Sequence, residues 1–215
     1  MDAYKTLSHA GADEIVIKKS RFIGHASPAA SEEDAIAFLQ SVRQQHREAN
    51  HNCYAYIIGV NSGIMRYSDD GEPGGTAGVP ILEGLKNRGL VNCAVVVTRY
   101  FGGILLGAGG LVRAYSQGCG CAVQAAGIVL MEKSLRLMGD IPYPMWDKVS
   151  YQLKSQPVIL EETQYGACVT PSVMVRERDA AALQSAMDTW TDGQVFLSQM
   201  EECYFPWPVT DEEDI

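Results

Sequence analysis

The sequence predicts a mixed α/β chain of the α+β kind, built as two domains, and three observations predict it. Segments with apolar residues at helical spacing alternate with β-branched runs of strand length along the whole chain. One such run, "CAVVVTRY", lacks polar alternation and reads as a strand buried on both faces. The charge then changes abruptly. Residues 1–133 carry twelve Lys/Arg and twelve Asp/Glu, residues 134–215 five and fourteen, so the entire net charge of −9 is C-terminal. The predicted division is 1–133, 134–204 and a frayed acidic tail over 205–215.

Within the first domain "DEIVIKKSRFIGHAS" reads as a strand pair. "SEEDAIAFLQSVRQQHRE" opens with Ser31 three residues before Asp34, a capping box, and spaces Ile36, Leu39, Val42 and His46 as one helical face. "CYAYIIGV" and "IMRYS" flank "NSG" as a hairpin, and "TAGVPILEGLKNRG" gives a short helix stopped by Gly89. After the buried strand, "ILLGAGGLVRAYSQGCGCAVQAAG" keeps Leu111, Tyr115, Ala122 and Ala126 at helical spacing despite glycines that each cost about 1 kcal/mol relative to Ala. Such a helix suits a place where its backbone approaches a neighbouring strand or a ligand. The second domain reads as strand "SLRLMGDI", helix "PYPMWDKVSYQLKSQ", a hairpin turning at Tyr165 and Gly166, helix "DAAALQSAMDTW" and strand "GQVFLSQMEECY". That βαββαβ order is ferredoxin-like.

Composition narrows the function classes. With 47% apolar and 20% charged residues the chain can bury real cores, and its apolar runs fall far short of the roughly 20 residues a membrane span needs. No signal-peptide pattern stands at the N-terminus, so a cytoplasmic location without membrane association is expected. Six cysteines without a CxxC pair read as free thiols of a reducing compartment. The acidic second half repels polyphosphate, which leaves the neutral first half to contact any nucleic acid. GxSxG, Walker and HExxH patterns are missing, no catalytic constellation is complete, and no cofactor is expected.

The densest candidate site is "YSDDGEPGGTAGVP", residues 67–80. Asp69, Asp70 and Glu72 offer hard oxygen ligands for a metal such as Mg²⁺, while Gly74, Gly75 and Gly78 let backbone N–H groups converge on an anion that Thr76 also reaches. The alternative is a tight loop built for conformational reasons, with Thr76 capping the next helix. Arg99, with Tyr100 and Phe101 at the end of the buried strand, needs an anion: either Asp70 or Glu72 as a structural pair, or a ligand phosphate. Arg113 and His51 are further candidates, although a lone arginine is more often a solvated surface charge and a lone histidine more often a surface or core hydrogen-bonder than a ligand.

Residues 78–107, "GVPILEGLKNRGLVNCAVVVTRYFGGILLG", with the preceding "HNCYAY" and "DGEP" loop and the following "GGLVRAY", resemble the signature of the Impact/YigZ family. The resemblance implies a two-layer N-terminal domain similar to ribosomal protein S5 domain 2 and to domain IV of elongation factor G. It implies a second module similar to that factor's domain V. Carried over by position, the shared surface comprises His51, Asp70, Gly71, Glu72, Thr76, Arg99, Tyr100, Gly102, Gly103, Gly107, Gly110 and Arg113. Gly74, Val79 and Ala108 depart from the pattern, where relatives often carry Ser or Ala, Lys or Arg, and Thr. The eukaryotic members imply translational regulation, exercised with a partner-binding domain that this chain lacks. The expected function is a non-enzymatic module acting on RNA or the ribosome through Arg66, Arg88, Arg99 and Arg113, with Tyr100 or Phe101 stacking on bases. The alternatives are a site for a small phosphorylated or carboxylated ligand between "DDGEPGGTAG" and "RYFGG", and a protein-docking regulator. A monomer is expected.

Overall fold

Strand β6 (Cys93–Tyr100) is the axis around which the first unit is built. It pairs antiparallel with both β3 (Ser20–Pro28) and β4 (His51–Ile58). Beyond them lie β2 (Gly11–Ile17) and β5 (Ile64–Ser68), in the order β2-β3-β6-β4-β5. The computed structural model describes residues 3–209 and divides into two units: Ala3–Met131 with residues 206–209, and Glu132–Phe205.

Seven of the eight β6 residues are buried because helices cover both faces of its sheet. Alternate strand residues point to opposite faces. Cys93, Val95 and Val97 therefore join Phe22, Ala26 and Cys53 against Ile81 and Leu85 of α2 (Gly78–Lys86) and Leu111, Tyr115 and Cys119 of α3 (Ala108–Ala126). Ala94 and Val96 face the other way, against Ala35, Leu39 and Val42 of α1 (Glu32–Gln45). The fold class is the expected one, and α1 adds a third layer to the two foreseen.

The capping box on α1 forms: Ser31 Oγ accepts from the Asp34 N–H at 3.1 Å, and Asp34 accepts from the Ser31 N–H at 3.0 Å. Two helix details differ from the sequence reading. Ile36 is 43% exposed, because the buried stripe runs through Ala35 instead, whose methyl lets α1 sit close to the sheet. Thr76 does not cap α2; its hydroxyl donates to the Pro73 carbonyl at 2.7 Å.

Part of the glycine content of α3 is explained by the sheet beneath it. A Cβ on Gly24 would lie 2.2 Å from the Gly118 carbonyl oxygen, and one on Gly118 would lie 2.9 Å from Val97 Cγ1. The helix lies directly on the strand backbone, and only glycine fits at that crossing.

The second unit follows the expected βαββαβ order. β7 (Ile128–Met138) pairs with β9 (Val169–Arg176), β9 with β8 (Val158–Tyr165), and β10 (Ser198–Pro208) with β7. β1 (Ala3–Leu7) also pairs with β7, and the division between the units falls within that strand. α4 (Tyr143–Leu153) and α5 (Ala180–Thr191) supply Val149, Leu153, Leu183 and Met187 to a core with Leu137, Val173 and Val175. β7 begins before the Ser134 foreseen, and β10 begins after Val195 and Leu197, which are buried without being in a strand. The frayed tail is corrected over residues 205–208, which continue β10 with Trp207 only 3% exposed. An indole of that size outweighs the polar tail beside it. The rest of the tail, 210–215, lies outside the described residues.

Gly24→Ala is expected to lower stability by about 3 kcal/mol, since backbone rather than a flexible side chain must yield. Ser31→Ala should cost only about 1 kcal/mol. Urea denaturation of both variants measures the contrast, and equal midpoints would contradict the close crossing of β3 and α3.

Candidate functional site

Strand register sets the site. His51 and Phe22 are the direct cross-strand partners of Arg99, so the three side chains share the face of the sheet that carries α3. Arg99 is 5% exposed, and its Nη1 donates to Glu72 Oε1 at 2.7 Å. The same oxygen accepts the Tyr115 hydroxyl of α3 at 2.7 Å. Burial, with Cys53 and Glu72 close by, raises the Tyr115 pKa so that its hydroxyl stays a donor. The guanidinium lies over the Phe22 and Phe101 rings, each centroid 5.4 Å away. Of the two acids named as partners for Arg99, Glu72 is the one.

Asp70 serves elsewhere: it accepts from the Asn52 N–H at 2.7 Å and from Arg43 at 3.2 Å, and its carbonyl meets His51 Nδ1 at 2.8 Å. His51 Nε2 lies 4.0 Å from Glu72 Oε1.

The anion cradle foreseen over residues 75–78 is already filled, by the chain itself. Asp69 accepts from the N–H groups of Gly75, Ala77 and Gly78 at 2.9, 3.0 and 2.8 Å. Burial pushes the Asp69 carboxyl up, but these three amides outweigh it and hold its pKa below the usual value. Gly75, at φ +76°, and Thr76, turned to Pro73, are parts of this built-in cap and not ligand contacts. The metal reading is corrected for the same reason. Asp69, Asp70 and Glu72 turn to three different sets of partners, and no group of three ligating side chains that could hold a metal occurs among the described residues.

A cleft of about 430 Å³ opens beside the ion pair, lined by Asn50, His51, Glu72, Pro73, Arg99, Phe101, Leu105, Leu106, Gly107, Ala108 and Leu111. It brings together His51, Glu72, Arg99 and Gly107 of the expected set. Leu105, 82% exposed at its mouth, and Leu106 were not singled out; the signal was an apolar pair among glycines with no helical partner. Gly102 donates its N–H to Ser20 Oγ at 3.1 Å, Gly103 lies in the connecting turn, and Gly110 belongs to the first turn of α3. Arg113 is exposed. Burial pushes the Cys53 thiol up to about 12.

Tyr100 belongs to another cluster. As the neighbour of Arg99 on a strand it points to the α1 face, where its hydroxyl lies 2.9 Å from His46 Nδ1. The His46 and His25 rings stand 4.9 Å apart, and Nε2 of each is buried without a hydrogen-bond partner among the described residues. Burial, with His46 beside it, pulls the His25 pKa down to about 4, and burial lowers that of His46 too, with Arg21 adding to it.

The geometry defines a class: a two-module α+β protein with a side cleft over a buried ion pair and a ferredoxin-like second module. Residues 18–123 match the Impact N-terminal domain, and residues 140–194 match a domain of unknown function, DUF1949. The IMPACT family member YvyE of Bacillus subtilis (strain 168) is 42% identical over 205 residues, covering 95% of this chain and 94% of that one. YigZ of Escherichia coli (strain K12) is 48% identical over 110 residues, half of this chain and 54% of its own. A crystal structure of an hypothetical protein, 32% identical, aligns at a TM-score of 0.59 over 94% of this chain and 98% of that one. The chain belongs to the IMPACT family.

Glu72→Gln should destabilise the protein by about 3 kcal/mol, because it strands a buried guanidinium. Asp70→Asn, at a half-exposed pair, should cost about 1 kcal/mol; urea midpoints that put Asp70 first would reverse the assignment. The His25 pKa in the fold lies below the ordinary 6.5, so its contribution to stability is full above that pH and is lost as pH falls from 6.5 toward 4. His25→Gln should flatten that acid loss, at most about 3 kcal/mol, in urea midpoints measured between those pH values.

Proposed function

We propose that the chain is a non-enzymatic, translation-related binding module of the cytoplasm that engages RNA, free or on the ribosome, with the cleft of its first unit as the recognition element. The observation that supports this most is the rim of the cleft. Phe101, 45% exposed, and Leu105 present a flat apolar surface of the kind on which an unpaired base stacks. Arg66, Arg88 and Arg113 are exposed, Arg66 with Glu32 3.9 Å away, whereas Arg99 is withdrawn from phosphate contact by Glu72. The six cysteines are free, which suits a reducing compartment, and no helix among the described residues is long and apolar enough to cross a membrane.

A second reading, a small phosphorylated or carboxylated ligand in the same cleft, is favoured by the loss of Arg99 as a phosphate contact and by the absence of net positive charge in residues 1–133.

Fluorescence anisotropy with a single-stranded RNA oligonucleotide and with nucleoside monophosphates separates the two. For RNA, Phe101→Ala should weaken binding by about 1–3 kcal/mol. Arg113→Ala should reduce the slope of log K against log salt by about one unit. Absence of RNA binding at about 50 mM salt would overturn the first reading. A monophosphate bound as tightly as the oligonucleotide would put the second in its place.

A further inference from the structure

We propose that the N-terminus of α3 is an oxyanion site inside the cleft, taking a phosphate monoester or a carboxylate on the N–H groups of Ala108, Gly109 and Gly110. The proposal rests on the reading of this cleft as the recognition element. It places the anion site one helix away from the loop in which the sequence suggested it.

The chain supplies its own comparison. At the start of α2, Asp69 occupies the amide donors at 2.8 to 3.0 Å. At the start of α3 nothing equivalent occurs. Gly107 is the N-cap and makes no side-chain capping bond, and no acidic residue stands in the first turn. The helix ladder begins with the Leu111 N–H donating to the Gly107 carbonyl at 2.9 Å. The three amides before it therefore meet no acceptor among the described residues. The helix is 19 residues long, enough to present a full positive end, and Gly107, Ala108 and Leu111 line the cleft.

An independent observation comes from Arg99, which lines the same cleft and is 95% buried, being 5% exposed. Glu72 satisfies its Nη1, yet its Nε is buried with no hydrogen-bond partner among the described residues. One N–H of a buried guanidinium lining this cleft thus lacks an acceptor, and so do the three amides of the helix that starts in it. The glycines agree. Gly118 is demanded by the Val97 side chain of β6, but a Cβ on Gly109 would meet nothing within 4 Å. Packing gives no reason for glycine there, whereas an anion lying close on the backbone does.

The test uses the full chain, with inorganic phosphate and acetate as probes at constant ionic strength, followed by amide chemical shifts and thermal melting. Phosphate should shift the amides of Ala108, Gly109 and Gly110 saturably, with a matching rise in Tm. Gly109→Ala, which keeps the amides but adds a methyl where the anion approaches, should retain a weaker response. Gly109→Asp places a carboxylate on them, and should raise Tm by itself while weakening phosphate binding about tenfold. A saturable response to acetate as well assigns a general oxyanion site; a response to phosphate alone assigns a phosphoryl site. Absence of saturable shifts at these amides, or an undiminished response in Gly109→Asp, would overturn the proposal. RNA binding that is sensitive to Phe101→Ala but indifferent to Gly109→Asp would sink the oxyanion site and leave the cleft reading standing. A phosphate response without RNA binding would do the reverse.

Discussion

The buried contact between Arg99 and Glu72 holds the first unit's site together. One carboxylate oxygen receives a guanidinium from the central strand and a hydroxyl from α3, so three segments distant in sequence meet at a single atom. Removing two charges from water is expensive, and the arrangement persists because hydrogen bonds and aromatic rings surround the guanidinium. The loop that delivers Glu72 is itself fixed by Asp69 on the α2 amides and by the Cys53 thiol, which donates to the Asp69 carbonyl at 2.9 Å. The cleft is the space left beside this pinned loop.

Much of this was legible because the signals were local. The capping box of Ser31 and Asp34, the buried run of β6 and the βαββαβ order of the second unit are written in short periods. The need of Arg99 for an acid also followed from one residue in its context. Which acid answered did not. Asp69, Asp70 and Glu72 are equivalent as letters, and their separate roles come from the turn that aims each in a different direction. Tyr100 shows the opposite failure. Adjacency to Arg99 suggested a shared site, while strand alternation sends the two side chains to opposite faces. Ile36 was misplaced because a helical face can be closed by a small residue as well as a large one, and Ala35 gives α1 the closer approach.

The glycines of α3 teach a related lesson. Sequence offered two explanations for a glycine-rich helix, contact with a strand or access for a ligand, and both apply at different turns. Gly118 sits where a methyl group would strike the strand, whereas Gly109 faces open space at the end of the helix. Composition cannot separate these two kinds of glycine, because what distinguishes them is the identity of the neighbour.

The sheet order has a consequence for how the chain is made. β6 lies between β3 and β4, yet it follows both in sequence. As the polypeptide leaves the ribosome, residues 20–28 and 51–58 emerge before the segment that joins them, each with an unpaired edge and an apolar face. Folding of this unit must therefore wait for Tyr100, and until then two adhesive strands are exposed to any other nascent chain nearby.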